Sequence, residues 1–247
     1  MYILNNIIIV KYYYNDIKMR KFLIIFFLII LFVLIFFVIY DNKKIHFSDY
    51  SKLSYADEND EYYKPFIVEN LLEKKLCQQI INQSKSHLIE SEIITGKNKN
   101  IRNSMQYWIN KNDPIIKPLF DKICSIFNIP LDNAEYLQVV RYLPNQYFNE
   151  HHDSCCDNTD KCIEFISRGG QRKLTVLIYL NNEFTGGETF FPNLRKKYKP
   201  KTGSAIIFSP LAINSFKCHP YALHAGLPVL TGEKWIANLW FRENKFN

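Results

Sequence analysis

Several features that define common protein classes are absent from this chain of 247 residues. After residue 40 it has no internal repeat, no low-complexity tract and no basic stripe with interleaved aromatic side chains. Proteins that bind nucleic acids carry such a stripe, so the formal net charge of +7 does not predict a nucleic-acid partner. Apolar residues make up 47% and charged residues 22%, which is typical of one globular domain with accessory segments.

Charged residues, glycine and proline are all missing from residues 22–40. A helix of that length spans a hydrocarbon core of about 30 Å. No small-residue cleavage site follows the run, so we expect an uncleaved anchor rather than a signal peptide. Basic residues are more numerous before the run than after it, which places the N-terminus in the cytosol. The sequence therefore predicts a single-pass type II membrane protein with its larger part in the lumen of the endoplasmic reticulum or secretory pathway.

Cysteine is absent from the first 76 residues, and an even number of six lies beyond the predicted anchor. An even count in a lumenal region permits disulfides. Cys155 and Cys156 lie on one side of a short polar insertion and Cys162 on the other, so we expect one local bridge there. The C-C-x5-C spacing does not favour a zinc cluster.

The hydrophobic pattern changes twice along the chain. Residues 71–87 follow a helical period, and a second helix is predicted to begin at Asp113-Pro114, where a capping residue precedes proline. From residue 134 onward, short β patterns alternate with turns rich in glycine. These β patterns occupy residues 136–142, 173–181, 204–209 and 234–242.

Short strands separated by such turns predict an antiparallel jelly roll, a double-stranded β-helix of cupin-like form. The fold class is therefore mainly β with flanking helices, preceded by the membrane helix. The predicted organisation is a cytosolic segment at 1–21, an anchor at 22–40, a stalk at 41–64, a helical support region at 65–133 and the jelly-roll core at 134–247.

Two short segments contain residues with metal-ligand chemistry. His151 and Asp153 are two residues apart, so on an extended segment both side chains point to the same face, and His152 points to the other. A third ligand, His224, would complete the 2-His-1-carboxylate set that holds Fe(II) and leaves positions open. A His-x-Asp pair alone is a weak signal, because a surface turn produces the same pattern.

Lys234 strengthens this interpretation. It shares one face of a predicted strand with Ile236, Asn238, Trp240 and Arg242. A lysine on the inner face of a strand is costly to bury unless an anion meets it. The carboxylate of a small co-substrate at the mouth of the barrel would supply that anion.

With these residues in place, the chain resembles the prolyl 4-hydroxylase (alpha subunit-like) branch of the Fe(II)/2-oxoglutarate-dependent dioxygenases from about Pro65 to the C-terminus. The matching blocks occur in the family's order, at residues 141–153, 172–181, 186–192, 200–208 and 224–235. Asn145 stands where the family usually has glycine, and asparagine tolerates the positive φ of such a turn. Phe148 stands where many members have tyrosine, which removes a hydroxyl from the site.

The resemblance implies a set of site residues. The expected iron ligands are His151, Asp153 and His224. Lys234 is expected to pair with the distal carboxylate of 2-oxoglutarate, with Tyr142 and Thr175 beside it and Trp240 lining the pocket. Ordinary core packing remains the alternative for the last three.

The resemblance also implies an activity. It is hydroxylation of peptidyl proline to 4-hydroxyproline, with decarboxylation of 2-oxoglutarate to succinate, using Fe(II), O2 and ascorbate. The expected partner is a proline-containing peptide or protein, held by loops such as 94–112 and 154–171, and no nucleic acid is expected. Two alternatives stay open: the same chemistry on a lysyl, nucleic-acid or small-molecule substrate, or a catalytically silent jelly-roll binding protein. Oligomeric state is not readable from the sequence.

Overall fold

The computed structural model describes residues 53–94 and 96–247. Within these ranges, none of the helices has the length and apolar character needed to cross a bilayer. This finding corrects the prediction of a single-pass type II protein in the membrane of the endoplasmic reticulum. The run at 22–40 on which that prediction rested lies outside the described residues, as do segment 1–21 and the first part of the stalk.

The described chain is mainly β. Its strands are β1 (Phe66–Val68), β2 (Ile89–Glu90), β3 (Met105–Ile109), β4 (Leu137–Tyr142), β5 (Phe148–His151), β6 (Arg172–Tyr179), β7 (Phe184–Gly186), β8 (Thr189–Phe191), β9 (Lys196–Tyr198), β10 (Ala205–Phe208), β11 (His224–Gly226), β12 (Val229–Gly232) and β13 (Lys234–Arg242). The helices are α1 (Lys74–Lys85), α2 (Lys117–Phe127) and α3 (Asp160–Ser167).

The strands form two main antiparallel sheets and a short ribbon. The large sheet has the order β1-β10-β6-β13-β4-β3-β2, the smaller one the order β5-β11-β8-β9, and β12 pairs with β7. A hydrophobic core joins residues of the large sheet, such as Val140 and Ile206, to residues of the other strands, such as Phe184 and Phe191. This arrangement is consistent with the jelly roll predicted from the sequence.

The long strands lie close to their predicted positions, and β13 spans the predicted residues Lys234–Arg242. The region predicted as helical support also contributes β1, β2 and β3 to the large sheet. Helix α2 begins at Lys117 rather than at Pro114, because Asp113 first forms a turn: its carbonyl accepts from the amides of Ile116 and Lys117. Helix α3 lies within a segment treated as a loop, where Thr159 caps its first turn by accepting from the amide of Cys162.

The described part of the predicted stalk packs onto the jelly roll. We call residues 53–62 the strap. Its backbone bonds to Cys218, with the amide of Ala56 donating to the Cys218 carbonyl at 2.9 Å and the amide of Cys218 donating to the Ser54 carbonyl at 3.2 Å. Tyr62 stacks on His219 with ring centroids 4.2 Å apart.

Two disulfides cross-link the segments around the predicted ligands. Cys155 bonds to Cys162, which is the local bridge expected from the sequence. Cys156 bonds to Cys218 and so joins the segment that follows Asp153 to the segment that precedes His224.

Candidate active site

The pairing of β5 with β11 brings the two predicted histidine ligands together. His151 and His224 are direct Cα partners across this pair, and their ring centroids lie 4.2 Å apart. Asp153 follows β5 and turns its carboxylate toward both rings. The Nε2 atoms of His151 and His224 each lie 3.9 Å from one of its oxygens. An ion about 2 Å from each donor fits between atoms this far apart.

The hydrogen bonds of both imidazoles leave Nε2 free for a metal. Nδ1 of His151 bonds to the carbonyl of Asn149 at 2.8 Å, and Nδ1 of His224 bonds to the carbonyl of Ala222 at 2.9 Å. A carbonyl only accepts, so Nδ1 carries a proton in each ring and Nε2 is the nitrogen that can ligate a metal. Burial and the neighbouring His224 ring hold the pKa of His151 well below its ordinary value. Two imidazoles and one carboxylate suit Fe(II).

Thr175 holds the carboxylate in place. Its Oγ1 donates to Asp153 Oδ2 at 2.7 Å. Burial raises the pKa of Asp153, but the two neighbouring imidazoles, Arg172 and the Thr175 hydrogen bond outweigh burial and lower it to about 2. The carboxylate is therefore ionised at neutral pH.

The far end of the same pocket contains Lys234. Its ammonium is fully buried and lies 5.2 Å from the ring centroid of Tyr142 and 5.3 Å from that of Tyr179. Burial lowers the pKa of Lys234 to about 7; Glu188 opposes this shift, and Lys199 reinforces it. The ammonium thus lacks full compensation within the protein, as expected for a group whose partner is a ligand.

One pocket contains these groups. His151, Asp153, His224, Lys234, Tyr142 and Trp240 all line it. Ile236 and Asn238 line it as well, so the inward face of β13 is the one predicted from the alternation of its residues. The predicted iron ligands and the predicted co-substrate lysine therefore share one cavity.

The structure changes the predicted role of Thr175. Thr175 pairs with Trp240 in the β6–β13 register, whereas Lys234 pairs with Tyr142 at the other end of β13. Thr175 is therefore remote from the co-substrate lysine, and its hydroxyl contacts Asp153 instead. The sequence predicted Thr175 beside the distal carboxylate, whereas the hydrogen bond seen in the structure joins it to the expected iron ligand Asp153.

Thr189 is a pocket residue that the sequence interpretation missed. It lines the cavity, and its Oγ1 forms a 2.8 Å hydrogen bond with the Tyr179 hydroxyl. Thr189 lies within the matching block at residues 186–192, in which the sequence interpretation assigned no residue a role at the site. The positive φ values of Gly186 and Gly187 make a turn there and direct Thr189 inward.

The remaining departures from the family pattern have structural explanations. Asn145 adopts φ 66°, so the turn is kept without glycine. Phe148 stacks on the His151 ring with centroids 3.5 Å apart, so its ring supports a metal ligand even without a hydroxyl. His152, predicted to point to the opposite face from His151 and Asp153, packs against Tyr55, and burial lowers its pKa to about 4.

Comparisons with known proteins agree with this geometry. The family model of the 2OG-Fe(II) oxygenase superfamily matches residues 137–242. The chain is 64% identical over 194 residues to the "Putative prolyl 4-hydroxylase" of Acanthamoeba polyphaga mimivirus. The aligned region covers 78% of this chain and 80% of that protein. It is 32% identical over 211 residues to Prolyl 4-hydroxylase 2 of Arabidopsis thaliana, covering 74% and 69% of the two chains.

A solved structure shows the same family similarity. The crystal structure of the viral collagen prolyl hydroxylase from Paramecium Bursaria Chlorella virus-1, in its 2OG complex, superimposes with a TM-score of 0.59 at 33% identity. The alignment covers 74% of this chain and 97% of that one. These relatives confirm the resemblance drawn from the sequence blocks, and the chain belongs to the prolyl 4-hydroxylase family of the 2OG-Fe(II) oxygenases.

Proposed function

We propose that this protein hydroxylates peptidyl proline at C4 and couples the reaction to decarboxylation of 2-oxoglutarate to succinate. The observation that carries the proposal is the convergence of two imidazoles, one carboxylate and one buried lysine on a single pocket. Membership of the prolyl 4-hydroxylase family supports the choice of reaction. Fe(II) and 2-oxoglutarate are the cofactor and co-substrate of this superfamily. O2 and ascorbate complete the proposed set.

His151, Asp153 and His224 would hold Fe(II). Bound iron supplies the oxygen chemistry that no side chain can perform. The protein contributes fixed ligand positions: the carbonyls of Asn149 and Ala222 orient the two rings, and Thr175 orients the carboxylate. Such supporting hydrogen bonds keep the donors in place before the metal arrives.

Lys234 would bind the distal carboxylate of 2-oxoglutarate. Tyr142, its partner across the β4–β13 pair, and Thr189 line the pocket with it and would add hydroxyl groups. The buried rings of Tyr179 and Phe184 pack nearby and exclude water from this end. An ion pair is stronger where water is excluded, so a buried lysine holds one end of the co-substrate in a fixed position.

The substrate side of the pocket is formed partly by the segment 94–112. Arg102 lines the cavity, and its guanidinium lies 4.6 Å from the ring centroid of Phe148. Nothing from residues 154–171 lines the pocket, because this segment folds into α3 and the disulfide-bonded turn. Of the two segments expected to contact substrate, residues 94–112 are therefore better supported than residues 154–171.

The proposal is tested with the purified full-length chain, Fe(II), ascorbate, O2 and 2-oxoglutarate, to which proline-rich peptides are added. We expect succinate release that depends on peptide, and mass spectrometry that places one added oxygen on proline. His151→Ala should abolish both signals. Oxygen added to lysine, or succinate release that responds to no proline peptide, would contradict the assignment to peptidyl proline.

A further inference from the structure

A second group of metal-ligating side chains lies next to the iron-site residues and has no part in the proposed reaction. His152, Cys156 and Cys218 each place one ligand atom within 4.8 Å of the others. The two cysteines form a disulfide in the structure, and both are buried. His152 does not line the active-site pocket; its ring contacts Tyr55 of the strap instead.

The hydrogen bonding of the His152 imidazole differs from that of His151 and His224. Its Nδ1 is buried and finds no hydrogen-bond partner within the described residues. In His151 and His224 the corresponding atom bonds to a backbone carbonyl. A buried polar atom without a partner costs about 1–3 kcal/mol, so its presence calls for an explanation.

We propose that the reduced thiols of Cys156 and Cys218, together with His152, bind a thiophilic divalent cation such as Zn²⁺. A dithiol reductant would first break the disulfide. It supplies two electrons and two protons, two thiols form, and the reductant itself becomes a disulfide. Zn²⁺ then displaces both thiol protons. Two thiolates and one imidazole form a recognised zinc ligand set, with water in the fourth position.

The position of this site between the segments that carry Asp153 and His224 suggests what the cation would do. Cys156 follows Asp153 by three residues, and Cys218 precedes His224 by six. The disulfide ties together the two segments that carry these iron-site residues, and a shared metal ion would tie the same segments when the thiols are reduced. The strap covers the site through its backbone bonds to Cys218. The iron-site geometry would thus be maintained under both oxidising and reducing conditions.

Cobalt(II) is a suitable probe, because thiolate ligation to cobalt gives a charge-transfer absorption that nitrogen and oxygen ligands do not. The full-length chain is reduced with a phosphine, desalted without oxygen and titrated with Co²⁺, and Zn²⁺ is then added. We expect one equivalent of thiolate-bound cobalt in the reduced protein, none in the oxidised protein, and displacement by Zn²⁺. Cobalt at the iron-site residues gives no such band, so the result does not depend on the proposed hydroxylase activity.

Variants identify the ligands. His152→Ala keeps both cysteines and their disulfide, so it can fold before reduction, and it should weaken cobalt binding by about tenfold or more. Cys218→Ser should abolish the thiolate band. Cys77→Ser/Cys124→Ser removes the two cysteines that form no disulfide and should leave the band unchanged. Absence of the band from the reduced protein, its persistence in Cys218→Ser, or unchanged affinity in His152→Ala would each overturn the proposal.

Discussion

At the scale of single residues, the hydroxyl of Thr175 and the ammonium of Lys234 have separate roles: one supports an expected iron ligand, and the other lines the pocket. Thr175 bonds to a carboxylate that is expected to ligate iron. Lys234 is buried without full charge compensation, and its pKa falls to about 7. A single substitution at each of these two residues can test its role.

Thr175→Val should weaken Fe(II) binding by about 10- to 100-fold, which is typical for loss of a hydrogen bond to a metal ligand. Valine has nearly the same shape as threonine, so packing changes little, but Asp153 loses its donor. Thr175→Ser keeps a hydroxyl and serves as the matched control. Anaerobic competition with an iron chelator measures the affinity. Equal affinity in the valine variant and the unaltered protein would exclude this positioning role.

The binding of 2-oxoglutarate should depend on pH through Lys234. Below its pKa of about 7 the free lysine is protonated and ready to pair with a carboxylate. Above that pH the free lysine loses its proton and must regain it on binding, so the affinity should fall by up to about tenfold per pH unit. Lys234→Arg stays charged at every accessible pH and should flatten the profile. The dissociation constant is measured by calorimetry across the range, and parallel profiles for the two proteins would refute the explanation.

At the scale of elements, a strand could be predicted from the sequence when its buried residues are mostly apolar, and could not when buried polar residues obscure the pattern. Strand β13 was predicted with its observed bounds because apolar residues fill it between Lys234 and Arg242, apart from Asn238. Strand β3 was missed, because its Gln106 is buried and bonds to Gln138 at 2.7 Å, and polar residues hide the alternation. The His-x-Asp spacing could be interpreted from the sequence, but the Thr175 contact could not, because it depends on where the loop after β5 returns to β6.

The ends of β6 and β13 are joined by a buried charge cluster. Glu135 accepts hydrogen bonds from Arg172 at 2.7 and 2.8 Å and from Arg242 at 2.7 Å. Burial raises the pKa of Glu135, but the two guanidinium groups outweigh burial and lower it. The cluster is therefore ionised near neutral pH, and it is located at the Thr175 end of the sheet.

Glu135→Gln should destabilise the protein by about 3–5 kcal/mol, because two buried guanidinium groups lose their counter-charge. Urea unfolding measures the loss. Glu164→Gln is the matched control: Glu164 pairs with Lys161 on the surface, where both side chains are mostly exposed, so its removal should change little. Similar losses in the two variants would show that the cluster does not stabilise the fold.

At the scale of the whole molecule, the two disulfides close loops of very different length. Cys155 and Cys162 are separated by 7 positions, and Cys156 and Cys218 by 62. In the chain-entropy model the longer loop stabilises more, about 4 kcal/mol against about 2.5 kcal/mol. Cys156→Ser/Cys218→Ser should therefore lower the free energy of unfolding more than Cys155→Ser/Cys162→Ser does. Urea titrations under non-reducing conditions compare the two, and the reverse order would contradict the model.

The packing of the strap also determines where a shortened enzyme can start. The backbone of Ser54 and Ala56 completes the hydrogen bonding of Cys218, and the Leu53 amide bonds to the side chain of Asn158 at 3.0 Å. Truncation at residue 63 would therefore expose the edge of the region that leads to His224. Fragments intended for crystallisation or kinetic work should retain every residue from Leu53 onward, even though the recognisable family blocks begin much later.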